Sequence, residues 1–130
     1  MKEPVWVLPD AAIAIHHILI GEHGGTPGIR DRGLLDSALN RAPQRYAYRA
    51  DTTIFELAAS YAYGLVKNHP FVDGNKRVAL TVAGMFLELN GYSLNAPESE
   101  TVVVIEQLAA SEFEEQAFSA WLETSSLANG

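Results

Sequence analysis

The chain has no cysteine, which excludes a disulfide framework, a thiolate zinc site and thiol nucleophiles together. It is also poor in charge, with only 19% Asp, Glu, Lys and Arg among its 130 residues against 48% hydrophobic. That balance supplies one buried core and rules out a disordered chain, so a single domain over residues 1–130 is expected. Long hydrophobic runs are missing too. The most apolar stretch near the N-terminus, Ala11 to Ile20, is broken by His16 and His17 and preceded by Asp10, which fits neither a signal peptide nor a membrane span. A cytoplasmic location with no membrane partner is therefore expected. Basic residues are scarce as well: 9 Lys and Arg stand against 16 Asp and Glu, a net charge of -7. Direct nucleic-acid binding depends on neutralising phosphates and is disfavoured.

The few bases are concentrated. Eight of the nine (Arg30, Arg32, Arg41, Arg45, Arg49, Lys67, Lys76 and Arg77) lie between residues 30 and 77 beside five acids, a local balance of +3, while the remainder of the chain carries -10. A split of this size points to a middle segment that meets an anion.

The pattern of apolar positions and stop signals predicts a mostly α-helical bundle with, at most, a minor β-hairpin. Val5 to Leu8 is expected as an edge strand, Asp10 as the N-cap of a first helix, and Gly24 and Gly25 as its end. Asp31 is expected to cap a short helix through Leu39 that Pro43 stops, leaving Gln44 to Ala50 as an exposed loop or flap. Thr53 and Glu56 have capping-box spacing before a helix that ends at His69-Pro70, with His69 on extended backbone. The next helix, Asn75 to Asn90, carries one charge between Val78 and Leu89 and is expected to be the buried central one, closed by Gly91. Tyr92 to Asn95 is expected to pair with the N-terminal strand. Two amphipathic helices follow, the second starting at Ser111, and the seven glutamates from Glu98 to Glu123 are read as their solvated face.

Chemistry is concentrated in His69-Pro-Phe-Val-Asp73-Gly-Asn75-Lys76-Arg77, at the junction of two apolar helices. The first N–H groups of a helix lack intrahelical partners and carry partial positive charge, so Gly74, Asn75 and Lys76 would present donors to an anion. Lys76 and Arg77 add formal charge. The result is a phosphate cradle, though the chain has no G-x-x-x-x-G-K-[ST] string. His69 could take a proton from an attacking hydroxyl near neutral pH, Asp73 could hold a magnesium ion, and Phe71 could anchor the loop in the core. Taken singly these residues have plainer roles: Asp73 and Asn75 as caps, His69 as a hydrogen-bonded loop residue, the cations as surface charge. Their joint occurrence favours transfer of a phosphate-containing group.

The string HPFVDGNKR resembles the Fic-fold signature H-x-F-x-[DE]-G-N-x-R. With AASYAYGLVKNHPFVDGNKRVAL, FLELNGY and GIRDRGLLDSAL around it, most of residues 25–95 is similar to the Doc (death-on-curing) branch, toxins of type II toxin-antitoxin modules. Two departures from the Fic pattern H-x-F-x-[DE]-G-N-G-R-x-x-R favour that branch: Lys76 replaces the small residue and Leu80 the second arginine, whereas Gly74 is the Fic-like choice.

The resemblance implies a nucleotide-using transferase. Fic enzymes move AMP from ATP to a protein hydroxyl, whereas Doc binds the nucleotide in the opposite sense and moves the terminal phosphate to elongation factor Tu. It implies His69 as general base, Asp73 as magnesium ligand or orienting group, Asn75 and the helix N-terminus as phosphate binders, and Lys76 and Arg77 as neutralising cations. ATP and magnesium are the implied cofactors. No inhibitory [ST]-x-x-x-E-[GN] string occurs in the chain, so restraint by a Phd-like antitoxin in trans is expected. Gly28 to Arg32 and Gln44 to Arg49 are the surfaces expected to meet antitoxin and target. The competing readings are AMP transfer, a catalytically silent module that holds an anion or a partner helix, and, more distantly, a His-carboxylate metal hydrolase.

Overall fold

A capping box starts the helix around which the others assemble. In the computed structural model, which describes residues 2–129, Thr53 Oγ1 accepts from Glu56 N at 3.1 Å and Glu56 Oε1 accepts from Thr53 N at 3.0 Å. The helix they open, α3 (Ile54–Asn68), follows α1 (Pro9–His23) and α2 (Arg32–Tyr48) and precedes α4 (Asn75–Leu89), β1 (Tyr92–Leu94), α5 (Glu98–Ala109), α6 (Glu115–Thr124) and β2 (Ser126–Ala128). The mostly helical expectation holds, with a two-stranded sheet as its minor part.

The centre, however, is α3 rather than α4. It is packed against α2, α4, α5 and α6, and Phe55 through Leu65 is buried along nearly its whole length. Small residues permit this: a Cβ on Gly64 would lie 3.0 Å from the Ala38 backbone, so α2 and α3 touch through their main chains. Helix α4 buries Val78, Ala79, Val82, Ala83, Phe86 and Leu87 but leaves Lys76, Arg77, Thr81 and Glu88 outside. Low charge alone did not distinguish a half-exposed helix from a surrounded one.

Several local expectations are corrected. Helix α1 has Leu8 as its N-cap and Pro9 at its first position, with Asp10 in the first turn, where a carboxylate favours the dipole without capping. Val5 to Leu8 is not a strand: Asn90 brackets Val5 by accepting from its N (2.8 Å) and donating to its O (3.0 Å), while Val7 N donates to Tyr61 Oη at 3.0 Å. With those groups satisfied by side chains, β1 pairs instead with β2, antiparallel, in the register Tyr92 with Ala128 and Leu94 with Ser126. Pro43 does not stop α2, which continues through the expected flap to Tyr48. A proline inside a helix costs about 3 kcal/mol, and side chains on either side of it offset that cost. Arg41 Nη2 donates to Glu115 at 2.9 Å, and Arg45 bonds Glu115 and Glu56, each at 3.2 Å.

Glu115 is therefore not part of a solvated face. It sits only 20% exposed between two arginines and Ser60, whose hydroxyl donates to it at 3.1 Å. Nor does Ser111 start the last helix: it has a left-handed backbone (φ 62), accepts from Lys67 Nζ, and α6 begins at Glu115 without a side-chain cap.

Tyr61 is fully buried in this core, and burial pushes its phenol up from 10.0 to about 12, against a smaller opposing effect of the Val7 backbone bond. A raised folded value means that its stabilising contribution is complete below the unfolded value of 10.0 and is lost as pH climbs towards 12. Urea midpoints measured at increasing pH are expected to fall across that window. In Tyr61→Phe this part of the fall should be absent.

Candidate active site

The site begins where α3 ends. His69 closes that helix with φ 47 and ψ 56, a left-handed conformation, not the extended one expected before Pro70. Clash with the following proline disfavours the right-handed helical region, and left-handed backbone is the other way out of the helix. Arg30 holds the turn in place: its Nε donates to the His69 carbonyl at 2.7 Å and its Nη2 to the Asn68 carbonyl at 2.8 Å. Arg30 N and Asp31 N both donate to Pro70 O, and Val72 N donates to Gly28 O. The segment from Gly28 to Arg32, expected as a partner surface, thus straps the His69 loop. Asp31 in the same stretch caps α2 by accepting from Leu34 N at 2.9 Å.

Phe71 carries the loop into the core, only 1% exposed. Asn75 then fastens it from the first turn of α4, accepting from Phe71 N and donating to Phe71 O, both at 3.0 Å. Its Nδ2 also lies 3.3 Å from His69 Nδ1, a long contact in which the amide can only donate and the ring nitrogen accepts. The Asn75 side chain, expected on phosphate, is therefore engaged by the loop, and what it presents to an anion is its backbone N–H. Among the described residues, the N–H groups of Asn75, Lys76 and Arg77 have no protein acceptor, the first helical bond being Val78 N to Gly74 O at 3.0 Å. Gly74, at φ 79, turns the chain into this helix, a conformation favourable to glycine.

Asp73 faces Gly25 and Thr26, just before the strap. Its Oδ1 accepts from Gly74 N at 2.9 Å and its Oδ2 from Thr26 N at 3.2 Å. A Cβ on Gly25 would lie 2.8 Å from Oδ2, so that approach requires glycine. Each carboxylate oxygen keeps a free lone pair, which suits a hard cation carried in on phosphates with a single protein carboxylate. No cluster of three or more His, Asp or Glu able to hold a metal occurs among the described residues.

These groups line a cleft of about 430 Å³. The loop and α4 contribute His69, Asp73, Gly74, Asn75, Lys76, Arg77 and Leu80, and α5 contributes Val102, Ile105 and Glu106. The volume falls in the range of small-molecule sites. Charge is more selective here than the +3 segment suggested. Arg32, Arg41, Arg45 and Arg49 are paired with carboxylates, while Arg30 and Lys67 hold backbone carbonyls. Only Lys76 and Arg77 turn to the cleft, Lys76 standing 4.0 Å from Glu106.

One residue at the site was not expected there. His16, on α1, lies under the loop, 4% exposed and stacked on Phe71 with ring centroids 4.0 Å apart. The available signal was its spacing with Ala12 and Ile15, the buried face of α1. No helix among the described residues is long and apolar enough to cross a membrane.

Comparisons with known proteins point to one family. The model of the Fic/DOC family matches residues 6–87, from the N-terminal segment to the end of α4. The chain is 36% identical over 99 residues to the protein kinase doc of Escherichia phage P1, covering 75% of this chain and 79% of that protein. It is 44% identical over 75 residues to the toxin Doc of Mycolicibacterium smegmatis, 56% of this chain and 57% of that one.

Proposed function

Since the chain belongs to the Fic/DOC family, and within it to the Doc branch, we propose that it is the toxin of a type II toxin-antitoxin module. In this reading it is a cytoplasmic protein kinase that moves the terminal phosphate of ATP to a hydroxyl of elongation factor Tu and so arrests translation. The observation that carries kinase over AMP transfer is the charge of the cleft. Lys76 and Arg77 stand at the helix start, and Leu80, one turn on, puts an apolar wall where Fic enzymes have a second arginine. Cations are thus available for one cluster of phosphate oxygens at the N-terminus of α4.

The geometry supports the following roles. The free N–H groups of Asn75, Lys76 and Arg77, with the two side-chain cations, take up negative charge on the transferring and leaving phosphates. His69 accepts the proton of the target hydroxyl. A bond forms between that oxygen and the γ-phosphorus, the bond from the γ-phosphorus to the β,γ-bridging oxygen breaks, and ADP leaves. Magnesium, held by Asp73 and by the nucleotide's own phosphates, would supply charge neutralisation. Arg30 and Asn75 keep the loop and the His69 ring in register.

Restraint would come from a separate Phd-like antitoxin, because the chain has no [ST]-x-x-x-E-[GN] helix of its own. ATP labelled at the α- or the γ-phosphate separates the two chemistries. Incubation with elongation factor Tu is expected to leave the γ-label on the factor. Transfer of the α-label instead would establish AMP transfer, and no transfer with no ATP binding would leave a silent binding module.

A further inference from the structure

Peptide 73–74 decides how many donors the helix start can offer. Asp73 O is the backbone acceptor four residues before Arg77, so in an uninterrupted helix it would take the Arg77 N–H. It does not: Asp73 O lies 2.9 Å from His16 Nε2 instead. A carbonyl oxygen only accepts, so Nε2 must carry a proton and donate. His16 holds its place by stacking on Phe71 with 10° between the ring planes. It also lies beneath Gly74, its Cδ2 3.8 Å from where a Cβ would be. Gly74, with φ 79 and ψ 15, is the residue whose backbone would most readily permit this peptide to rotate.

We propose that His16 is a positioning residue for the anion site, a latch that draws the Asp73 carbonyl into the protein and leaves the Arg77 N–H for phosphate. Without the latch the carbonyl oxygen is free to close onto Arg77 N–H, removing a donor and bringing a partial negative charge towards the phosphates. The proposal rests on the reading of the cleft as a nucleotide-phosphate site. It assigns α1, which contributes no group to the chemistry, a direct part in nucleotide affinity.

Two variants separate this from mere packing. His16→Phe keeps an aromatic ring on Phe71 but has no donor, whereas His16→Gln carries an amide N–H near the position of Nε2. In calorimetry with ATP and magnesium, His16→Phe is expected to bind about five- to tenfold more weakly than wild type, the effect of one lost hydrogen bond, and His16→Gln to stay within about twofold. Equal affinity in wild type and a folded His16→Phe overturns the proposal, as does a folded His16→Gln no better than His16→Phe. Wild-type protein supplies a second test that does not depend on either variant folding. Nitrogen-15 spectra should show a proton on His16 Nε2, and ATP should shift the Arg77 amide. A ring protonated only at Nδ1, or ATP binding that leaves the Arg77 amide unmoved, overturns it. If wild type binds no ATP, the nucleotide reading itself fails, a result distinct from ATP binding that is indifferent to His16.

Discussion

His69→Ala is expected to reduce γ-phosphate transfer by about 10²- to 10⁴-fold, the usual contribution of a positioned general base. The substitution leaves the phosphate donors in place: Asn75, Lys76 and Arg77 belong to α4, and Asn75 remains fastened to Phe71 N and O. ATP affinity should therefore change little while turnover collapses. The Arg30 contact survives too, because it is made to the backbone carbonyl of residue 69 and not to the imidazole. Transfer of γ-label to elongation factor Tu gives the rate, calorimetry gives the affinity, and loss of growth arrest on expression without an antitoxin gives the cellular counterpart. A variant that transfers label at the wild-type rate removes His69 from the mechanism.

Phe71→Ala should have the largest effect on stability. The side chain is 1% exposed, among the largest fully buried in the molecule, and one face of its ring is covered by His16. Truncating a buried phenylalanine costs about 3–5 kcal/mol, a substantial part of the roughly 5–15 kcal/mol that holds a domain together. The urea midpoint should fall accordingly with an unchanged slope. An undiminished midpoint would mean that the loop is not anchored through this ring. Because the same residue carries the backbone groups that Asn75 grips, the folded fraction of Phe71→Ala should also bind ATP more weakly. His69→Ala should instead melt close to wild type, so that stability and chemistry are separable at positions two residues apart.

The expectations that held were those in which the cause and its effect lie within one turn of the chain. Thr53 and Glu56 formed the capping box their spacing predicts, Asp31 capped α2, and Gly91 followed the end of α4 with φ 96. His69, Asp73, Gly74, Asn75, Lys76 and Arg77 of the motif do line one cleft, because a tight turn between two helices keeps them together while Phe71 turns into the core. Expectations failed where a distant partner outweighed local preference. Pro43 is tolerated inside α2 beside Arg41 and Arg45, which are tied to a glutamate some seventy residues away. Tyr92 to Leu94 found β2 because Asn90 and Tyr61 had already satisfied backbone groups of the N-terminal segment.

By itself, then, the sequence determined that the chain is mostly helical and of the Doc type, with a cluster of polar and charged residues at the start of one helix. Helix periodicity, capping and a nine-residue motif are local codes written in consecutive side chains. Tertiary structure alone decided which cations face the cleft. Six of the eight clustered bases are engaged elsewhere by carboxylates or carbonyls, whereas Lys76, 4.0 Å from Glu106 of the same cleft, and Arg77 line it. It also decided that His16 and Arg30 serve the His69 loop, at sequence separations of 57 and 39 residues. The physical reason is the same in both cases. A charge or a hydrogen-bonding group has no function until its partner is chosen, and these partners are brought together only when the helices pack.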